Sequence, residues 1–192
     1  MKAAYHRAIT QQALGGLLAP DMLEIVILAN LGQDALRYQI GHDHFHYDNN
    51  SFSAADAYIA ECRQQARLHF KQNNLRAGWQ AFGRLTHTAQ DFYAHSNYVA
   101  LWREQHPQAS PPEIPAFPQW NQTMALRSGK LYYPLEVLSF APFLRRLVLP
   151  LLPRDSHAWM NQDDPGQPHF AFAFAAAVKH TLLEYQNLTQ KN

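Results

Sequence analysis

The segment from Leu75 to Arg103 constrains this chain more than any other. It contains no proline, and its apolar residues Trp79, Phe82, Leu85, Ala89 and Phe92 recur at the three- and four-residue intervals of an α-helix. The same period carries a polar series, with His87, Asp91 and His95 at i, i+4 and i+8. At about 100° per residue their directions drift by only ~80°, so the three share one helix face. Their neighbours Leu85, Ala89, Phe92, Tyr93 and Ala94 are apolar, which predicts that this face is half buried. A buried carboxylate without partners is costly, and a metal ion removes that cost. Imidazole and carboxylate are the usual nitrogen and oxygen ligands of Zn²⁺, and the central carboxylate has two oxygens with which to bridge two ions. Ser96 and Asn97 follow at once and can orient ligands through hydrogen bonds. A solvated polar stripe holding no ion is the competing reading.

The rest of the chain predicts an all-α fold in a single compact domain over residues 1–192. A first helix is expected over 3–18, stopped by Gly15-Gly16 and Pro20. A second is expected from Asp21 as N-cap to about Leu31, and a third from Ser53 as N-cap to about Gln72. The long helix is expected to run unbroken from Leu75 to Arg103, with Gly83 marking a close packing contact. Residues 106–118 carry five prolines and form an extended excursion. Shorter helices are expected over 119–131 and 135–149, a polar loop over 153–168, and a last helix from His169 to Leu188. No stretch alternates with a period of two for long enough to form a strand.

Composition narrows the chemistry. With 192 residues, 47% hydrophobic and 16% charged, the chain reads as globular. A net charge of +1 gives no strong nucleic-acid signal. Cys62 is the sole cysteine, so a metal must be held by histidine and carboxylate, and there are 11 histidines. The opening MKAAYHRAIT has no apolar signal-peptide core, and the apolar runs Met22–Leu31 and Phe140–Leu152 are too short to span a bilayer. A cytoplasmic location is the expectation from the chain as it stands, and secretion if a leader had been removed.

Further candidate ligands cluster along the sequence. His6 lies in the first helix and Asp34 just after the second; His42, Asp43, His44, His46 and Asp48 crowd one loop. His157, Asp163 and Asp164 share a later loop, and His180 and Glu184 stand at i, i+4 in the last helix. The runs YHRAITQQAL, ILANLGQD, HFHYDNNSF and GRLTHTAQDFYAHSNYV occur in that order over residues 5 to 99. In these the chain resembles the zinc-dependent phospholipase C family. It is similar, more distantly, to the fungal single-strand nucleases of the same all-helical fold, and in phrasing most to the fungal heterokaryon-incompatibility C proteins and their bacterial relatives.

The resemblance implies two or three zinc ions. It makes His6, His87, His95 and either His46 or His44 ligands, with His46 favoured because it precedes Tyr47-Asp48. It makes Asp91 a bridging carboxylate and Asp34 the general base, with Asp48 as an additional candidate. A later histidine and carboxylate complete one zinc, with His157 and either Asp163 or Asp164 ahead of His180 and Glu184. The chain departs from the secreted phospholipases at its start, where Met1 replaces a tryptophan ligand, in the short Asp91–His95 gap, and in lacking a clean H-x-x-x-E at His157. The implied reaction is hydrolysis of a phosphodiester or phospholipid headgroup by metal-activated water, with possible peripheral membrane contact. Tyr47, Phe92, Tyr93 and Tyr98 are expected to line the substrate groove. Two alternatives stand beside this: a catalytically silent phospholipase-like binding module, and a His-Asp phosphohydrolase using His42-Asp43.

Overall fold

The computed structural model describes residues 1–38, 41–116, 125–139 and 141–190. Its helices are α1 (Ala3–Leu14), α2 (Pro20–Leu31), α3 (Phe52–Lys71), α4 (Leu75–His95), α5 (Tyr98–Gln105), α6 (Leu135–Ser139), α7 (Pro142–Val148), α8 (His157–Met160) and α9 (Phe170–Thr189). Among the described residues there is no β-strand, only isolated bridges between Ser96 and Ser128 and between Lys130 and Ser156. The fold is all-α, as the periodicity predicts. No helix among these residues is long and apolar enough to cross a membrane.

Helix α4 is the axis. It packs against α2, α3 and α9, and α1 closes the bundle against α2 and α9. Phe82, Leu85, Ala89 and Tyr93 of α4 are wholly buried, together with Ile9 and Leu14 of α1 and Ala173, Ala176 and Ala177 of α9. The small residues set the spacing. A Cβ on Gly83 would stand 2.4 Å from the Val26 carbonyl oxygen and 2.7 Å from the Ala29 Cβ, so α2 and α4 touch backbone to backbone there. This is the close contact expected at Gly83.

Several element boundaries differ from expectation, each for a local reason. α1 stops at Leu14, where the Gly15 N–H donates to the Gln11 carbonyl. α2 begins on Pro20, whose fixed φ and missing N–H suit the first helical position, so Asp21 sits in the first turn and Ala19 at the cap. α3 begins at Phe52, after Ser51 and not Ser53, and the Ser51 hydroxyl donates to the Asp48 carbonyl. The long helix breaks at Ser96, which is extended (φ −102°, ψ 165°). There the chain exchanges helical bonds for bonds to the 125–129 segment: Asn97 N–H to Arg127 O, Arg127 N–H to Asn97 Oδ1, and Gly129 N–H to His95 O. The helix expected over 119–131 falls partly on 117–124, outside the described residues, and 125–131 contains no helix, only isolated bridges at Ser128 and Lys130. The helix expected over 135–149 is two, because Pro142 starts α7. The 153–168 loop contains the short helix α8.

Candidate metal centre

The polar face of α4 is fully internal, not half buried: His87 and Asp91 have no exposed surface and His95 has 4%. The two oxygens of Asp91 serve different groups. Oδ2 lies 3.0 Å from His87 Nε2 and 3.0 Å from His46 Nδ1, and those nitrogens are 3.1 Å apart. Oδ1 lies 3.2 Å from His6 Nε2, 3.8 Å from His95 Nε2 and 2.6 Å from the Met1 amino nitrogen.

The loop before α3 supplies two members from one sharp bend. Tyr47 adopts φ 57°, ψ 21°, a left-handed conformation uncommon for an aromatic residue and costing on the order of 1–3 kcal/mol. The bend sends the Tyr47 ring into the core against Phe52 and Phe92. His46 and Asp48, on either side of it, then both reach the centre. Asn49 and Asn50 hold the bend by accepting the Leu131 and Ser128 N–H groups on their side-chain oxygens.

Around the far oxygen of Asp91 a second group forms. His95 Nε2 lies 3.3 Å from Asp163 Oδ1, and His157 Nε2 lies 3.9 Å from Asp163 Oδ2. His157 Nδ1 is 2.9 Å from Asp48 Oδ1. α8 reaches this position because segment 125–131 lies flat on it: a Cβ on Gly129 would be 2.5 Å from the His157 Cα. The two groups open onto a pocket of about 140 Å³ lined by Met1, Asp34, His46, Asp48, His95, Leu131, Tyr133, His157 and Asp163. Asp34 Oδ1 is 3.7 Å from His87 Nε2.

Hydrogen-bond direction decides which nitrogens carry lone pairs. A carbonyl oxygen only accepts, so His95 Nδ1, 2.9 Å from the His46 carbonyl, carries a proton, and Nε2 faces the Met1 amine, Asp163 and Asp91. His6 is fixed by a longer chain of bonds. The Thr10 hydroxyl donates to the His6 carbonyl and therefore accepts from Gln90 Nε2. Gln90 Nε2 also donates to Thr181, and Gln90 Oε1 accepts from Asn30 Nδ2. The acceptor oxygen of Gln90 thus faces His6 Nδ1 at 2.6 Å, so Nδ1 is the protonated nitrogen. His6 Nε2 lies on the other side of the ring, 3.2 Å from Asp91 Oδ1. It is buried without a hydrogen-bond partner, as are His46 Nε2 and His87 Nδ1.

The side chains gathered here are of the kind that could hold a metal ion. Tetrahedral zinc with bonds of about 2.0–2.2 Å needs ligand atoms about 3.3–3.5 Å apart. The His46, His87 and Asp91 atoms, 3.0–3.1 Å apart, lie close to that spacing, and Asp48, His95 and His157 each offer one ligand atom within 4.8 Å of the others.

The same groups shift one another's protonation. Burial pushes the Asp91 carboxyl upward, but the Met1 amine, His95, His87 and His6 outweigh it and hold it well below the ordinary value. Asp163 is likewise held down against burial by the Met1 amine and His95. Burial favours a neutral His157, yet Asp48 and Asp163 prevail and raise it to about 9. Burial dominates at His87 and lowers it to about 4. The Met1 amine, pulled down by burial, is raised to about 11 by Asp163, Asp91 and Asp34.

The structure thus brings together His6, Asp34, His46, Asp48, His87, Asp91, His95, His157 and Asp163. It places the other candidates elsewhere. His44 packs on Phe45 and Tyr58, and Asp164 pairs with Lys2. His180 bonds to the Tyr93 hydroxyl and Glu184, and Glu184 takes a two-pronged ion pair from Arg63. His42 packs against the Tyr38 and Phe45 rings, and Asp43 accepts from Asn49. The expected aromatic groove is corrected: Tyr47, Phe92, Tyr93 and Tyr98 are core residues, each 3% exposed or less, because their rings pack on one another. Leu131 and Tyr133 line the pocket instead. Sequence reasoning missed these two and Gln90; nothing local distinguishes them, since their roles arise from contacts between distant segments.

An all-α bundle around a buried histidine–carboxylate centre defines the class. The chain belongs to the VWA7 N-terminal domain family, whose model matches residues 5–111, more than half its length. That span includes every member of the centre except Met1, His157 and Asp163. No match was found among curated proteins or among solved structures.

Proposed function

We propose that the chain is a zinc-dependent phosphodiester hydrolase of the phospholipase C type. The single observation that carries this reading is Asp91, whose two oxygens face two separate sets of imidazole nitrogens inside the core. His46, His87 and Asp91 would hold one zinc; His95, Asp163 and Asp91 another, with His157 and His6 adjoining. Bound zinc would supply positive charge for a phosphoryl oxygen and lower the pKa of water toward neutrality. Asp34, at the pocket wall and one-third exposed, would orient a water and accept its proton. The pocket, about 140 Å³, is small for a whole ligand, so it suits a phosphoryl group whose substituents stay outside.

The test is turnover of bis(p-nitrophenyl) phosphate by the zinc-loaded chain. Asp34→Asn should lower kcat by ~10²–10⁴ at unchanged zinc content. A fully zinc-loaded chain without turnover would refute the hydrolase reading.

One observation favours a second reading. The Met1 amine lies 2.6 Å from Asp91 and 3.2 Å from Asp163, so an ammonium neutralises part of the centre. On that reading the chain is a binding module whose polar core needs no metal, and the purified protein would hold none.

A further inference from the structure

Residues 131–154 form an excursion closed at its base. Lys130 N–H donates to the Asp155 carbonyl and His157 N–H donates to the Lys130 carbonyl, so the chain leaves and returns at one point beside the centre. The inner side of the excursion is packed: Leu144, Val148 and Leu152 form a small core with Ala158 and Trp159. Its outer side is apolar and bare. Phe143, Leu147 and Leu151 are 79%, 71% and 68% exposed, and Val137 and Leu138 of α6 are also exposed. Phe143 and Leu147 stand at i, i+4 on α7 and therefore share a side. Leaving these in water is unfavourable, and apolar surface gathered in this way marks a contact site.

Charge identifies the partner. Arg146 and Arg154 are exposed, and Arg145 is half buried, donating to the Ala158 carbonyl. The only acidic residue between 131 and 154 is Glu136, which is wholly buried and accepts from the Ala158 N–H. The outward charges of the excursion are thus all positive. A second copy meeting this face symmetrically would set arginine against arginine with no carboxylate in reply. Large apolar side chains flanked by arginines match the boundary of a bilayer with anionic headgroups.

We infer that the face formed by Phe143, Leu147 and Leu151 with Arg146 docks the protein on an anionic phospholipid surface. The excursion begins at Leu131 and Tyr133, which line the metal pocket, so docking brings the pocket to the headgroup layer. The inference rests on exposure and charge, not on metal; only its link to the substrate rests on the proposed hydrolase.

The experiment is co-sedimentation of the full chain with phosphatidylcholine vesicles, with and without phosphatidylserine. The wild type should bind phosphatidylserine vesicles at least ~tenfold more tightly, and salt should weaken the difference. Phe143→Ser combined with Leu147→Ser should reduce binding at least ~tenfold while the circular dichroism spectrum and zinc content are kept. Arg146→Glu should weaken binding to the anionic vesicles alone. Equal partitioning of wild type and double variant would overturn the inference. So would a dimer in light scattering that the double variant dissolves, which would identify a protein partner. Zinc content and turnover of a soluble phosphodiester, read on the same samples, separate failure of docking from failure of the hydrolase.

Discussion

Gln90 sits one residue before Asp91 and reaches His6 from inside the bundle. It joins α1, α2 and α9 through Thr10, Asn30 and Thr181, and through them dictates which His6 nitrogen keeps its proton. Gln90→Leu removes the acceptor without changing the length of the side chain greatly. Zinc affinity should fall ~10–100-fold, and long-range ¹H–¹⁵N spectra should show His6 losing its single Nδ1–H tautomer. An unchanged affinity with a mixed tautomer would mean that orientation at His6 is immaterial. Protonation supplies a second prediction at this scale. In the metal-free chain, His157 is raised from 6.5 to about 9, so its contribution is complete below pH 6.5 and is lost as pH rises toward 9. His87 is lowered from 6.5 to about 4, so its contribution is complete above pH 6.5 and is lost as pH falls toward 4. With zinc chelated, the melting temperature should therefore peak near pH 6.5. Zinc binding, which needs deprotonated ligands, should strengthen from pH 6.5 to 9. A chelated protein whose melting temperature keeps rising to pH 9 would contradict this assignment. The spacing of His87, Asp91 and His95 was legible in the sequence because it obeys one helix period. Gln90 was not, because its partners come from three other helices.

Among the elements, α4 carries both the core and the centre, and its contact with α2 depends on a missing side chain at Gly83. Gly83→Val should force the helices apart and lower stability by about 1–3 kcal/mol in denaturant melts, with zinc uptake weakened because His6 and Asp34 flank α2. A variant as stable as wild type would show that α2 can shift freely. The position of Gly83 was readable as close packing from its place in a helical pattern. The end of α4 was not. Ser96 and Asn97 looked compatible with a continuing helix, and only the bonds from Asn97 and His95 to the 125–129 segment explain the break. The same bonds account for the failure of a helix over 125–131. Tyr47 shows the reverse case: an aromatic residue that sequence assigns to a groove becomes core because a left-handed turn points it inward.

Across the whole molecule, the all-α class was legible because apolar spacing near 3.6 recurs through most of the chain and no alternating run opposes it. Assembly of the centre was only partly legible. Order along the chain located His6, Asp34, His46 and the α4 series, which fall inside the family match. His157 and Asp163 lie beyond it, and the choice between Asp163 and Asp164 turned on Lys2, which draws Asp164 outward. The exposed outer side of 131–154 left no sequence signal beyond a proline-broken apolar run, because a buried and a bare leucine look alike without the bundle behind them. The proposed function rests on one arrangement, the two oxygens of Asp91 facing separate sets of imidazole nitrogens. The most direct measurement is the zinc content of the purified chain and of Asp91→Asn by inductively coupled plasma mass spectrometry. The wild type should carry at least two zinc ions per chain and the variant should lose them. A wild type with one zinc or none, or a variant that keeps the wild-type content, would contradict a bridged centre.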